Sequence, residues 1–200
     1  MVTPRFLRTA AILLAVMVAA PAAMADSGEK SMGKASAKVT VIEYASVTCP
    51  HCGRFNNEVF PAFKAKYVDT GKVLYVFREF PTDPAELAAA GFLVARCAPA
   101  DKYFPVLDAL FHGQDKLYQT RDAKAWLLEA AKVGGMDEAK AQACIEDKAA
   151  LDAFNTRVEA AFNVGKIQST PTFVIGKTKL EGEQTLAALS AAIDPLLGGK

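Results

Sequence analysis

The chain has 200 residues, is 52% hydrophobic and carries a formal net charge of +1. That length supports one compact core with room for an insertion. The balanced charge, with no basic run, argues against a nucleic-acid binder or a protein held on an anionic surface.

Residues 1–25 differ in kind from the rest. Arg5 and Arg8 form a short positive region, Ala10 to Ala20 is unbroken apolar sequence, and Pro21 precedes Ala23-Met24-Ala25. This is the layout of a secretory signal peptide, with cleavage expected between Ala25 and Asp26. Spanning a bilayer needs about 20 apolar residues, more than this run supplies. Export gives the four cysteines, Cys49, Cys52, Cys97 and Cys144, a compartment in which disulfides persist.

Residues 26–38 are small and polar and read as a solvated leader. "VTVIEYA" at 39–45 has the composition of a buried central strand, with Glu43 misplaced in it. The stretch "SVTCPHCGRF" follows and opens a helix with Phe55, Val59, Phe63 and Tyr67 on one face. Pro61 should kink this helix rather than end it. A second apolar strand at 71–80 completes a parallel βαβ unit. Helical patterns then recur at 85–98, 103–111, 122–133, 137–146 and 149–164, the last presenting Leu151, Phe154, Val158 and Phe162. Strands return at 170–176 and 178–182. A closing amphipathic helix carries Leu186, Leu189, Ile193 and Leu196. His112 and Trp126 fall in the helical stretch and read as packing or surface residues.

The pair Cys49 and Cys52 lies where a buried strand gives way to a helix. A thiol there meets unpaired backbone N–H groups and the positive end of the helix dipole. Both favour thiolate, the attacking and the leaving species in disulfide exchange. Cys49 is therefore expected to be the exposed, acidic thiol and Cys52 the shielded, resolving one. Pro50 suits the first turn, where its missing N–H costs nothing, and His51 is expected to bring a ring donor beside the Cys49 sulfur. A zinc site would need two more ligands at compatible spacing, and Cys97 and Cys144 stand alone. Haem attachment would put histidine where Gly53 is. A structural disulfide closing so short a loop would constrain the unfolded chain little.

With "EYASVTCPHC", "STPTFVIG" and the order βαβ, helical insert, ββα, the chain resembles the DsbA family of thiol–disulfide oxidoreductases. The resemblance implies an α/β fold, a thioredoxin fold (βαβ…ββα) at 39–82 and 166–200 with an all-α domain inserted at 83–165. It implies Cys49 as nucleophile, Cys52 as resolving cysteine, and Pro171 as a cis-proline that helps bind an extended substrate chain. Thr170 would tune partner choice, and Glu43 would be a buried acid passing protons to Cys52. No cofactor is implied beyond the Cys49–Cys52 disulfide, and no metal.

Cys97 and Cys144 are expected to form a second, non-catalytic disulfide, since an exported chain tends to pair leftover cysteines; two buried free thiols are the alternative. The dipeptide Pro-His is associated with strongly oxidising family members, whereas Thr170 leaves isomerase or reductase character open. The expected protein is a monomeric periplasmic oxidase. Its partners would be reduced or unfolded secreted proteins and a membrane redox protein that reoxidises it. A non-catalytic module that holds peptides in the same groove is the alternative from another class.

Overall fold

The computed structural model describes residues 28–198; the expected signal peptide lies outside them. No helix among the described residues is long and apolar enough to cross a membrane.

Five strands form one sheet in the order β1-β3-β2-β4-β5. They are β1 (Lys30–Met32), β2 (Val39–Ala45), β3 (Val73–Glu79), β4 (Thr172–Ile175) and β5 (Thr178–Glu181). The β-branched and aromatic residues of β2 and β3 pair in parallel, Val41 opposite Tyr75 and Glu43 opposite Phe77. Strand β4 runs antiparallel on the other side of β2, placing Phe173 opposite Glu43. Val41, Val73, Phe173 and Ile175 are fully buried, as strands flanked on both sides should be.

Strand β1 corrects the sequence reading, which left its residues in a solvated leader. It pairs antiparallel with β3, Met32 opposite Tyr75, and Met32 packs on the core. Three polar-flanked residues are too few to show a period of two, and a short lysine-bearing strand is a usual way to finish a sheet edge.

Between β2 and β3 runs one long helix with two wide turns. It begins as α1 (Pro50–Arg54), widens to a π-helical turn at Phe55–Val59, resumes as α2 (Phe60–Phe63) and widens again at Lys64–Val68. Pro61 sits in the first turn of α2. It has no N–H to return to the preceding turn, so that turn opens instead of the helix breaking. Phe55, Phe63 and Tyr67 all bury, and their rings continue to Tyr75 on β3, 6.1 Å from Phe63.

The stretch between β3 and β4 is helical: α3 (Ala85–Cys97), α4 (Tyr103–His112), α5 (Gln114–Thr120), α6 (Ala123–Val133), α7 (Glu138–Ile145) and α8 (Lys148–Asn163). Asp122, Asp137 and Asp147 cap α6, α7 and α8 by accepting the N–H three residues on, each contributing about 1 kcal/mol. Trp126 is buried and donates its indole N–H to the Leu110 carbonyl at 2.9 Å, whereas His112 stays at the surface beside Asp108. Cys97 and Cys144 are bonded, joining the end of α3 to α7 with Cα atoms 6.0 Å apart. The helices meet the sheet through Phe92, whose ring lies 6.2 Å from Phe77 and 5.8 Å from Phe154.

A buried carboxylate fastens this junction. Glu79, at the end of β3, is 3% exposed. It accepts from Arg96 of α3 at 2.5 Å, from Arg157 of α8 at 3.1 Å and from the Tyr103 hydroxyl at 3.1 Å. Two cations and a phenol satisfy both of its oxygens, which is what burial of a charge requires.

Two residues of the expected helix faces are exposed. Phe162 is 57% exposed and Ala161 takes the inward place, because seven residues bring a helix back to the face of Phe154 and eight overshoot it. In α9 (Leu186–Leu197), Leu189 and Ile193 are buried, but Leu196 in the last turn is 43% exposed and lies over Gly176 in the β4–β5 turn.

Candidate active site

Residues 45–49 leave β2 and remain buried up to the start of α1. Ser46, Thr48 and Thr82 tie this loop together: the Thr48 hydroxyl donates to the Thr82 carbonyl at 2.9 Å, and Ser46 Oγ accepts the Thr82 N–H at 3.1 Å. Cys49 is the N-cap residue of α1 in an extended conformation, and Pro50 occupies the first helical position. The strand-to-helix junction read from the sequence is therefore present.

Both cysteines of the pair are free thiols here. Cys52 is wholly buried and Cys49 is 7% exposed, so Cys49 is less open than expected while remaining the more accessible of the two. Their acidities diverge. The Cys49 thiol is lowered to about 5, first by a hydrogen bond from the Cys52 thiol, against the opposing effect of burial, then by the Thr170 side chain and the backbone N–H groups of Cys52 and His51. Burial raises Cys52 well above its ordinary range, helped by its bond to Cys49 and by the Cys49 and Glu43 charges.

Across the loop, the Thr170–Pro171 peptide is cis, and as a thiol Cys49 Sγ donates to the Thr170 carbonyl at 3.4 Å. Asp83–Pro84 is also cis, which the sequence reading did not anticipate. Glu43 is 2% exposed and accepts a 2.6 Å bond from the Tyr75 hydroxyl. Burial pushes its carboxyl up to about 8, against the Tyr75 bond and with the Cys49 charge. At neutral pH it is mostly protonated.

His51 departs from expectation. The partners of its ring Nδ1 are Glu183 and Arg54: it lies 3.2 Å from Glu183 Oε2 and 2.5 Å from Arg54 Nη2. Arg54 also pairs with Glu183 at 2.9 Å. The carboxylate draws both side chains toward the β5–α9 loop, and His51 reaches the sulfur through its backbone N–H. These residues border an open cavity of about 450 Å³ that also touches Thr170 and Gly182.

Two further residues of the site come from α5, a helix the sequence reading passed over. Gln114 donates to the carbonyls of Val47 at 2.7 Å and Cys49 at 3.2 Å, and the Tyr118 hydroxyl donates to the Thr48 carbonyl. "QDKLYQT" has little apolar periodicity, and nothing in the local sequence places its side chains against residue 49. Among the described residues, no group of three metal-ligating side chains is gathered.

Known proteins resemble this chain along nearly its whole length after residue 25. A family model described as thioredoxin matches residues 26–195. The crystal structure of α-DsbA1 from Wolbachia pipientis superposes with a TM-score of 0.77 at 33% identity, covering 85% of this chain and 91% of that one. Oxidised BdbD from Bacillus subtilis gives 0.68 at 26% identity, covering 86% and 94%. A Rickettsia bellii protein provisionally named a protein-disulfide oxidoreductase is 29% identical over 170 residues, 84% of this chain and 64% of its own length. The chain thus spans under two thirds of the length of such curated relatives. It belongs to the thioredoxin family, in its DsbA-like form.

Proposed function

We propose that this chain is an exported thiol–disulfide oxidoreductase that donates the Cys49–Cys52 disulfide to reduced, folding secreted proteins. The observation that carries this reading is the placement of the pair: Cys49 is the N-cap of α1, its thiol lowered to about 5, and Cys52 is wholly buried, its thiol raised by that burial. A passive peptide-binding module has no use for such a thiolate.

In the reaction, a substrate thiolate attacks Cys49 Sγ of the oxidised pair. The Cys49–Cys52 bond breaks, and its electron pair leaves on Cys52 as a mixed disulfide forms at Cys49. A thiolate at the buried Cys52 is costly, and the protonated Glu43 carboxyl is the group that supplies its proton. The substrate's second thiolate then attacks its own sulfur in the mixed disulfide and expels Cys49. Cys49 departs readily because its thiolate is stabilised. The products are a substrate disulfide and the reduced pair, which a membrane redox partner would reoxidise. Thr170 and cis-Pro171 flank the sulfur where an extended substrate chain would lie.

One equivalent of oxidised protein mixed with a reduced two-cysteine peptide should yield one peptide disulfide and two protein thiols, at Cys49 and Cys52. Failure to transfer would overturn the reading. Export is checked separately: the protein recovered from the periplasm should begin at Asp26.

A further inference from the structure

We infer that Gln114 and Tyr118, one turn apart on α5, form a clamp on the carbonyls of Val47, Thr48 and Cys49 that sets where the Cys49 sulfur sits. They are positioning residues for the nucleophile, supplied by the helical stretch to the loop of the sheet. The inference rests on Cys49 being the attacking thiolate.

Its basis is an accounting of backbone groups. The buried loop turns its N–H groups inward on itself: Cys49 N–H donates to the Ser46 carbonyl at 3.1 Å and Thr48 N–H to Ser46 Oγ at 3.3 Å. The carbonyls of Val47 and Thr48 then need donors, while that of Cys49 already accepts the Gly53 N–H at 3.0 Å and has room for a second donor. The Gln114 amide, 4% exposed, serves Val47 and Cys49, and the Tyr118 phenol serves Thr48. Residues at i and i+4 lie on one helix face, so one rigid element holds three consecutive peptide units. The fit is close. A Cβ added to Gly53, on the adjacent face of α1, would lie 2.2 Å from Gln114 Oε1.

Fixing those peptides fixes Cys49 as the N-cap, the geometry in which its sulfur meets the N–H groups of His51 and Cys52. The other groups facing the sulfur are the Cys52 thiol from α1, the Glu43 carboxyl from β2 and Tyr118 itself, each of which feels the Cys49 charge. Without the clamp, the Val47 and Thr48 carbonyls must turn toward other donors or water, and only the Cys49 carbonyl keeps its partner, the Gly53 N–H. The sulfur then loses its N–H partners and gains carbonyl oxygens nearby, and both changes disfavour the thiolate.

The test is the thiolate titration of the reduced full chain by ultraviolet absorbance, in wild type, Gln114→Met and Tyr118→Phe. Gln114→Met keeps the volume and removes the donor, and Tyr118→Phe removes only a hydroxyl from a side chain that is partly at the surface. The expected result is a Cys49 midpoint raised by about one unit in Gln114→Met, about ten-fold less thiolate below the midpoint, and a smaller rise in Tyr118→Phe. A low wild-type midpoint shared by both variants, even with lowered thermal stability, would overturn the clamp and leave the oxidase reading standing. A wild-type midpoint near ~8.5 would instead overturn the oxidase reading and the clamp with it. Should Gln114→Met not fold, Tyr118→Phe decides alone: an unchanged midpoint overturns the clamp.

Discussion

Glu43 on β2 accepts a 2.6 Å hydrogen bond from Tyr75 on the neighbouring β3, and both side chains are buried. Burial raises both groups above their ordinary values, so a neutral carboxylic acid is held beneath the cysteine pair at neutral pH.

Glu43→Gln should stabilise the fold and slow catalysis. The folded carboxyl titrates near 8 against 4.5 for the ordinary group, so folding favours the protonated form. That stabilising preference is complete below pH ~4.5 and is lost progressively as pH rises toward 8. The amide removes this loss, so the variant should gain up to about 4 kcal/mol relative to wild type, mostly between those values. Denaturant melts at pH 4 and pH 8 measure it, and an equal effect at both would contradict the assignment. Disulfide transfer should slow about 10- to 100-fold, as expected when a general acid is removed.

The reduced protein should be more stable than the oxidised protein at pH 7. Cys49 is depressed in the folded reduced state to about 5, below an unfolded value near ~8.5. A depressed value stabilises the fold fully above the unfolded value, and the contribution is lost as pH falls through the folded one. The gap between the thermal midpoints of the two forms should therefore narrow from pH 8 down to pH 5. A higher midpoint for the oxidised form at pH 7 would mark the pair as a structural staple.

Replacing Cys97 and Cys144 together by serine should cost stability without touching the chemistry. Their bond spans a sequence separation of 47, for which chain-entropy reasoning gives about 3–4 kcal/mol. Urea denaturation measures the loss. The Cys49 titration should not move, and a shift there would mean that α3 and α7 act on the site.

Removing the Glu79 carboxylate should be more damaging than its place at a strand end suggests. Glu79→Ala leaves Arg96 and Arg157 facing each other in a part-buried junction, at a cost of about 3–5 kcal/mol. Equilibrium unfolding reads it, and a change below about 1 kcal/mol would show that the two arginines find other partners.

The fold was legible where chemistry and periodicity agree. "VTVIEYA" reads as a buried strand, and its misplaced Glu43 is enclosed. The aspartates that cap α6 and α7 marked their starts, and Thr170–Pro171 and Cys97–Cys144 took the forms expected of them. What stayed hidden depends on tertiary placement. Residues 30–32 are too short to show a pattern, and α5 is polar because it spends its side chains on another segment's carbonyls. Glu183, distant in sequence, is the partner that holds the His51 ring Nδ1. Nothing in the local sequence marks Glu79 as buried, because its two arginines lie on α3 and α8.

The most direct test is the reduction potential of the Cys49–Cys52 couple, from equilibrium with glutathione or a reference thiol pair. DsbA itself lies at about −120 mV and thioredoxin at about −270 mV. With the Cys49 thiol lowered to about 5, this couple should sit well on the DsbA side, above about −180 mV. A value at or below about −270 mV would contradict disulfide donation and make the protein a reductant.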